Sequence, residues 1–153
     1  MPTESGRGRQ KVREPDLGIL ASRILFGVQR EMFGRLNSAG HPNVRPRHGA
    51  VLAYINVEGT RATDLANQSG QHKQVIGNLV DELVELGYVT RRPDPSDRRA
   101  KLVVPTELGL DEMKRSDAIV EEIEARCAAL MPDVDFKAIK QSLALIADVL
   151  HSK

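Results

Sequence analysis

The feature that most constrains this chain is an abrupt change of hydrophobic period at Gly87. Before it, residues 71–86 carry apolar side chains every three or four positions, which predicts an amphipathic helix with Gly87 as its terminator. After it, Tyr88-Val89-Thr90 favours a strand. A short helix predicted over Thr63–Gln68 precedes the long one, and only a tight glycine-containing turn separates them. This order predicts a helix-turn-helix with a β-strand attached. The apolar stripe of the long helix is Val75, Ile76, Leu79, Val80, Leu83 and Leu86.

A second strand and four further helices complete the predicted order. Leu102-Val103-Val104 matches the first strand in character, and the turn formers in residues 91–99 predict a β-hairpin with a long loop. We expect the order helix, helix, helix-turn-helix, hairpin, helix, helix. The four flanking helices are predicted from Asp16 to about Gly40, from Pro46 to Gly59, from Thr106 to about Met131, and from Asp135 onward.

Composition and termini narrow the class of protein. The single Cys127 cannot form a disulfide within the chain, which agrees with a reducing compartment. The apolar runs are far shorter than the roughly 20 residues of a membrane span, and no apolar segment follows the basic N-terminus as in a signal peptide. We therefore expect a cytoplasmic protein without a membrane span. Residues 1–15 lack apolar periodicity and are expected to be a flexible basic arm, with residues 16–153 forming one domain.

No residue pattern indicates catalysis or a bound metal. The histidines have no metal-ligand spacing, and one cysteine cannot make a zinc site. The acidic residues around Glu122 are most simply a solvated helix face. Cys127 lies at helical spacing with Val120 and Ile123, which favours a buried core cysteine over a redox sensor. We expect no enzyme activity, no cofactor and no metal.

The predicted helix over residues 71–86 keeps a polar face opposite its apolar stripe. The amides of Gln74 and Asn78 can pair with adenine edges in the major groove of double-stranded DNA, and Gly77 would let the helix lie close to the bases. A solvated surface helix would carry similar residues, so this face alone leaves both interpretations open. The residues assigned to DNA here are Thr63, Gln71, His72, Lys73, Gln74, Gly77 and Asn78.

The predicted hairpin concentrates positive charge. The chain as a whole has 22 Lys+Arg against 21 Asp+Glu, for a net charge of +1, yet residues 88–105 hold five basic residues and two acidic ones. Phosphates favour such cations, and the narrow minor groove attracts arginine. Asp97 is expected to orient a neighbouring guanidinium by a bidentate pair. The hairpin residues assigned to DNA are Arg91, Arg92, Asp97, Arg98, Arg99 and Lys101.

The run from Asp81 to Val103 resembles the recognition-helix end and wing of the MarR (multiple antibiotic resistance regulator) family. Its distinctive pieces are Leu86-Gly87-Tyr88-Val89-Thr90-Arg91 and Asp94-Pro95-Ser96-Asp97-Arg98-Arg99. The resemblance implies a winged helix-turn-helix, mainly α with a small β-hairpin wing, in the order α-α-(β)-α-α-β-wing-β-α-α. It also implies a sequence-specific transcriptional regulator of a pseudo-palindromic operator, a repressor released by a small ligand, with Arg98 or Arg99 in the minor groove. Many relatives have arginine at the position of Asn78, which leaves the operator sequence open.

The apolar stripes of the first and last long helices predict a homodimer. Such stripes would be a liability if exposed, and pairing them across a two-fold axis would place two recognition helices about 34 Å apart. A purely intramolecular bundle is the alternative. The resemblance assigns residues 46–105 to DNA binding, and residues 16–40 and 106–153 to dimerisation. The predicted interface residues are Leu17, Leu20, Ile24, Phe136, Ile139, Leu143, Ile146 and Leu150.

Cations on or beside the first two helices are candidates for binding an effector. The resemblance implies a small ligand, often aromatic or anionic, between the dimerisation helices and the DNA-binding lobe. Pairing of Arg47 or His48 with an anionic ligand is one interpretation, and surface solvation with helix capping is the other. A winged-helix module that binds protein without touching DNA is the alternative function. The candidate ligand residues are Arg23, Arg30, His41, Arg47 and His48.

Overall fold

The computed structural model describes residues 4–152, as seven α-helices and one small sheet. The first half contains α1 (Glu4–Arg13), α2 (Leu17–Ser38), a 3-10 turn (Pro46–His48), α3 (Gly49–Leu52), β1 (Thr60–Arg61) and α4 (Ala62–Ser69). The second half contains α5 (Lys73–Glu85), β2 (Val89–Asp94), β3 (Asp97–Pro105), α6 (Glu107–Ala129) and α7 (Phe136–His151). This order confirms the predicted fold class, including the short strand before the helix-turn-helix.

The winged lobe, residues 46–105, packs around the buried side of α5. Ile76 and Leu83 are fully buried there, in one core cluster with residues of α2, α3, α4, the hairpin and α6. Val75, which the pattern placed on the same stripe, is 40% exposed because it lies in the first turn at the edge of the lobe. Gly70 and Gly87 have φ angles of 71° and 84°, which confirms the predicted glycine terminators of α4 and α5.

The hairpin is tighter than the sequence indicated. Its strands belong to an antiparallel sheet of order β1-β3-β2, and β2 pairs with β3 from Val89↔Pro105 to Asp94↔Asp97. Only Pro95 and Ser96 separate the two strands, so the expectation of a long loop is wrong. The hairpin cations therefore project from strands whose backbones are held by ladder hydrogen bonds.

The second predicted helix is much shorter than expected. It ends at Leu52, whereas the sequence predicted an end at residue 59. The N–H of Asn56 donates to the hydroxyl of Thr60 at 2.9 Å, and the N–H of Gly59 donates to the Asn56 carbonyl at 3.0 Å. A Cβ on Gly59 would stand 3.0 Å from side chains of β3. This turn replaces the last helical turns because the chain must enter β1 alongside β3.

Residues 4–13 form helix α1, so the expectation of an arm without secondary structure is wrong there, while residues 1–3 of that arm lie outside the described residues. Arg, Lys, Gln and Glu, which dominate α1, are good helix formers even without an apolar stripe. The ammonium of Lys11 pairs with Asp16. Asp16 also accepts the Ile19 N–H at 3.0 Å, which confirms it as the N-cap of α2.

Helices α2 and α6 lie side by side. Arg126 donates to both carboxylate oxygens of Glu31, at 3.0 and 2.6 Å, across this contact. At the start of α6, a Cβ on Gly109 would overlap the carbonyl oxygen of Tyr88, so the helix backbone touches the base of the hairpin. Cys127 is half-buried and packs against the core cluster, which agrees with the prediction of a core cysteine.

Helix α7 begins as predicted, with Asp135 accepting the Ala138 N–H at 3.1 Å, but none of its residues is buried within the single chain. Five of its large apolar residues are 38 to 67% exposed, while Phe136 and Ile139 are half-buried, and five at the start of α2 are 42 to 59% exposed. No helix in the described part of the chain is both long and apolar enough to cross a membrane. The large apolar residues exposed on α7 are Leu143, Leu145, Ile146, Val149 and Leu150, and those on α2 are Leu17, Leu20, Ile24, Leu25 and Phe26.

Candidate nucleic-acid interface

The exposed face of α5 carries the amides that the sequence singled out. Gln74 and Asn78 are exposed one turn apart, and a Cβ on Gly77 would point into open space. The helix begins at Lys73 with His72 as N-cap residue, two positions later than expected. Gln71 therefore lies in the turn, outside the helix. Thr63, on α4, is also exposed, so the predicted DNA residues around the turn share an accessible surface.

The wing, β2 to β3, presents all its cations to solvent. The guanidinium of Arg91 pairs with the carboxylate of Asp81 on α5, which places the wing beside the polar face of that helix. The predicted pair between Asp97 and a guanidinium is not found among the described residues. The Oδ1 of Asp97 instead accepts the backbone N–H of Arg99 at 3.0 Å and so shapes the tip of the wing. The exposed cations are Arg91, Arg92, Arg98, Arg99 and Lys101.

An ion pair between half-exposed Arg61 and buried Asp94, which sequence reasoning missed, links β1 to the turn of the wing. Arg61 Nε donates to Asp94 Oδ2 at 2.6 Å, while Asp94 Oδ1 accepts from the Ser96 N–H at 2.8 Å and from its hydroxyl at 2.7 Å. The Ser96 hydrogen bonds, together with Arg61, lower the pKa of Asp94 to about 2. The Asp-Pro-Ser sequence of the turn could have indicated this Asx-type turn, but not the partner on β1.

The two buried histidines have internal partners. His41 contacts the Tyr88 hydroxyl through Nδ1 at 2.9 Å and Asp111 through Nε2 at 2.8 Å. His48 accepts a backbone N–H at Nδ1, so its Nε2 carries the ring hydrogen and donates to Glu82 at 2.9 Å. Each side chain is 1% exposed. Both rings therefore link separate elements of the fold by hydrogen bonds, and their predicted contact with a ligand is not supported.

A crevice of about 580 Å³ lies between α2, α3, α6 and the turn before α5. Its walls are mainly apolar. Of the five candidate ligand residues, only Arg47 lines it, and the Arg47 guanidinium donates to Glu82 at 3.0 Å. Arg23 and Arg30 are exposed on α2 and do not line the crevice. The five candidates thus do not form one site.

Glu112, on α6, lines the same crevice and was missed by sequence reasoning. Its side chain is 3% exposed, and within residues 4–152 its Oε2 has no hydrogen-bond partner. Burial, and then the nearby carboxylate of Asp117, raises the pKa of Glu112 to about 7. A sequence signal existed: residue 112 falls at three- and four-residue steps with Gly109, Ser116 and Ile119, on the inward side of α6.

Comparison with known proteins decides the family. Residues 43–100 match the MarR family model. CouR from Rhodococcus jostii RHA1, solved bound to p-coumaroyl-CoA, is 30% identical with a TM-score of 0.68, over 88% of this chain and 92% of that one. This chain belongs to the MarR family. A MarR-family regulator from Rhodococcus sp. RHA1 is 29% identical with a TM-score of 0.63, over 88% and 93% of the two chains. S. aureus MepR, solved in complex with DNA, shares the MarR fold at 20% identity and a TM-score of 0.67, over 92% and 100%.

Membership of the MarR family confirms the resemblance and the winged helix-turn-helix class predicted from sequence. The chain is a DNA-binding transcriptional regulator, and its MarR relatives are transcriptional regulators rather than enzymes. In this MarR fold, α5 occupies the place of the recognition helix and β2 to β3 that of the wing. The individual residues assigned to DNA, ligand and dimer contacts stay predictions.

We expect Asp94→Asn to loosen the wing and to lower the free energy of unfolding at pH 7. Because the folded-state pKa of Asp94 is depressed, its stabilisation is present above pH 4 and is lost as the pH falls toward 2. Urea denaturation at several pH values should therefore show the variant and the wild type converging at acid pH. Asp97→Asn, which removes the same charge from the residue paired with Asp94 across the hairpin but leaves the Arg61 pair intact, is the control. Equal pH profiles for both variants would contradict this role of Asp94.

Proposed function

We propose that the chain is a homodimeric repressor that inserts α5 into the major groove and the wing into the minor groove of a pseudo-palindromic operator. The observation that carries this proposal is the ion pair between Arg91 of the wing and Asp81 of α5. It holds the cationic hairpin next to the exposed amide face of the helix. One lobe therefore offers a neutral hydrogen-bonding surface and a basic surface side by side, as adjacent major and minor grooves require.

Different parts of this surface would do different work. Gln74 and Asn78 suit adenine edges, because a side-chain amide both donates and accepts. Lys73, at the positive end of α5, suits phosphate or guanine. Arg98 and Arg99, beside the Pro95-Ser96 turn, are the wing residues proposed to enter the minor groove. Base contacts would set the operator sequence, and the wing would add affinity that depends little on sequence.

The proposed dimer pairs the exposed apolar surfaces of α2 and α7 with those of a second copy. We propose residues 16–40 and 106–153 as the dimerisation region and residues 46–105 as the DNA-binding lobe. Ten large apolar side chains exposed on two helices are unusual on a monomer. A two-fold axis through it would present two α5 helices about 34 Å apart, or one turn of DNA.

We further propose that a small ligand in the crevice releases the operator, and that the chain has no enzyme activity. The crevice touches α2 and α6 on one side and the turn leading into α5 on the other, through Ser69 and Gln71. A ligand that prefers one arrangement of these elements would shift the spacing of the two recognition helices. CouR, a similar protein, was solved with p-coumaroyl-CoA, which supports ligand control of this kind.

Two substitutions separate the roles of wing and helix. Arg99→Ala should weaken binding to every DNA sequence about tenfold and reduce the dependence of affinity on salt, because the protein loses one cation that would contact a phosphate or the minor groove. Asn78→Ala should instead cost roughly 1–3 kcal/mol on the operator and little on unrelated DNA. The operator can be identified as the genomic DNA that the purified protein retains. Fluorescence anisotropy with this DNA and with unrelated DNA, at several salt concentrations, measures the affinity and its salt dependence for both variants.

Lys114→Ala, which removes an exposed cation from α6, is the matched control and should change neither quantity. An Arg99→Ala protein with unchanged affinity would contradict the wing assignment. A flat salt response of the unmodified protein would instead favour a module that binds another protein without DNA.

A further inference from the structure

The crevice is lined by a buried carboxyl group that lacks a hydrogen-bond donor. Glu112 is almost fully buried, lines the crevice, and has an Oε2 atom without a hydrogen-bond partner within residues 4–152. Burying a carboxyl group without a partner is unfavourable, since it loses hydration and gains nothing in return. A side chain in this state is suited to a ligand that supplies the missing donor.

The charged groups around Glu112 determine which sign of charge the crevice accepts. Asp117, five residues further along the same helix, also lines the crevice. Arg47 faces them from the 3-10 turn, but its guanidinium is already engaged by Glu82. Tyr88 and Asp111 are electrostatically coupled to this region and add no positive charge, and the buried ring of His41 bonds to both of them. An anion would thus meet two carboxyl groups and one neutralised cation, whereas a cation would meet complementary charge.

We infer that the effector is a hydrophobic amine whose ammonium group binds Glu112, with its apolar body between α2 and α6. The inference rests on the crevice of the proposed function and replaces the anionic ligand expected from sequence. An ammonium group has three donors, which Glu112, Asp117 and the Ser116 hydroxyl can accept. Val28, Met32 and Phe33 line the apolar wall opposite.

Three probes with the same carbon skeleton test the sign of the charge. Titration calorimetry on the full chain without DNA would use 4-phenylbutylamine, 4-phenylbutanol and 4-phenylbutyrate at pH 8. We expect the amine to bind about tenfold more tightly than the alcohol, because it adds a charge-assisted hydrogen bond. The butyrate should bind more weakly than either. Between pH 6 and pH 8 the affinity for the amine should rise about tenfold, as Glu112 ionises.

Two carboxamide variants locate the effect. Glu112→Gln should reduce the affinity for the amine to that for the alcohol, leave the alcohol unchanged and abolish the pH dependence. Glu121→Gln, on an exposed carboxyl group of the same helix, should change none of these quantities. Tightest binding by butyrate, binding by none of the three probes, or an unchanged order of affinities in Glu112→Gln would overturn the inference. Operator binding by the ligand-free protein tests the proposed function separately, so the two can fail independently.

Discussion

Leu143→Asp should convert the protein from a dimer to a monomer and reduce its operator affinity at least a hundredfold. Leu143 is 42% exposed on α7, a helix with no buried residue in the single chain. A carboxylate at the centre of a dimer interface would be desolvated without a partner, which costs several kcal/mol per protomer. Loss of the dimer also removes the second half-site contact, which otherwise benefits from a high effective concentration. Sedimentation equilibrium should report one 16.9 kDa chain instead of two.

The matched control is Gln141→Asp, which adds the same charge two residues earlier and so about 200° around the helix. It should remain dimeric and bind the operator normally. Thermal unfolding of Leu143→Asp followed by circular dichroism distinguishes a dissociated dimer from an unfolded chain, because α7 contributes nothing to the core of the single chain. A dimer that survives Leu143→Asp would move the interface away from this face of α7.

Features with local causes were predictable from sequence. Asp16, Thr106 and Asp135 each cap the helix that the pattern assigned to them, because a cap depends on residues three positions apart. The buried stripe of α5 and its exposed amides likewise follow from helical periodicity alone. The resemblance to the MarR family came from residues 81–103, which cover the end of α5 and the wing.

The errors arose where distant parts of the chain compete with local preference. Residues 53–59 have a helical pattern, but pairing of β1 with β3, about forty residues away, required a turn there. The wing residues look like a loop because proline and aspartate are turn formers, yet the ladder extends to Asp94 and Asp97. In the opposite direction, α1 is helical although it has no apolar stripe to predict it.

The candidate site was only partly predictable for the same reason. Most of the residues predicted to contact DNA could be proposed from sequence because they lie on α5 and the hairpin, each a short continuous stretch of chain. The Arg61–Asp94 pair, the partners of His41 and His48, and the crevice around Glu112 all join elements far apart in sequence. Histidines near a cationic cluster suggested a ligand site, but their buried rings bond to the partly exposed carboxylates of Asp111 and Glu82. The residue to which we assign ligand binding, Glu112, lies on α6, where the sequence had indicated that the acidic residues form a solvated face.

Glu112→Gln should stabilise the protein, and by an amount that depends on pH. A carboxyl group whose pKa is raised on folding, here from 4.5 to about 7, holds its proton more tightly in the folded state. Below pH 4.5 both states are protonated and the group has no effect. Between pH 4.5 and about 7 the unfolded chain loses this proton while the folded protein keeps it, so stability falls with rising pH and levels off once the folded group ionises. Relative to wild type, the variant should therefore gain about 2–3 kcal/mol of unfolding free energy between pH 5 and pH 8.

The change between the two pH values is the decisive quantity, because a glutamine amide in the same place has its own desolvation cost, which does not vary with pH. Urea denaturation at pH 5, 6, 7 and 8 measures it, with Glu121→Gln as a control that should follow the wild-type curve. Parallel curves for Glu112→Gln and wild type would mean that Glu112 is solvated or paired in solution. A diverging curve would identify a buried carboxyl group whose ionised form destabilises the folded protein. A bound ammonium group would relieve that cost, so the same titration with 4-phenylbutylamine present should bring the wild-type curve toward that of the variant.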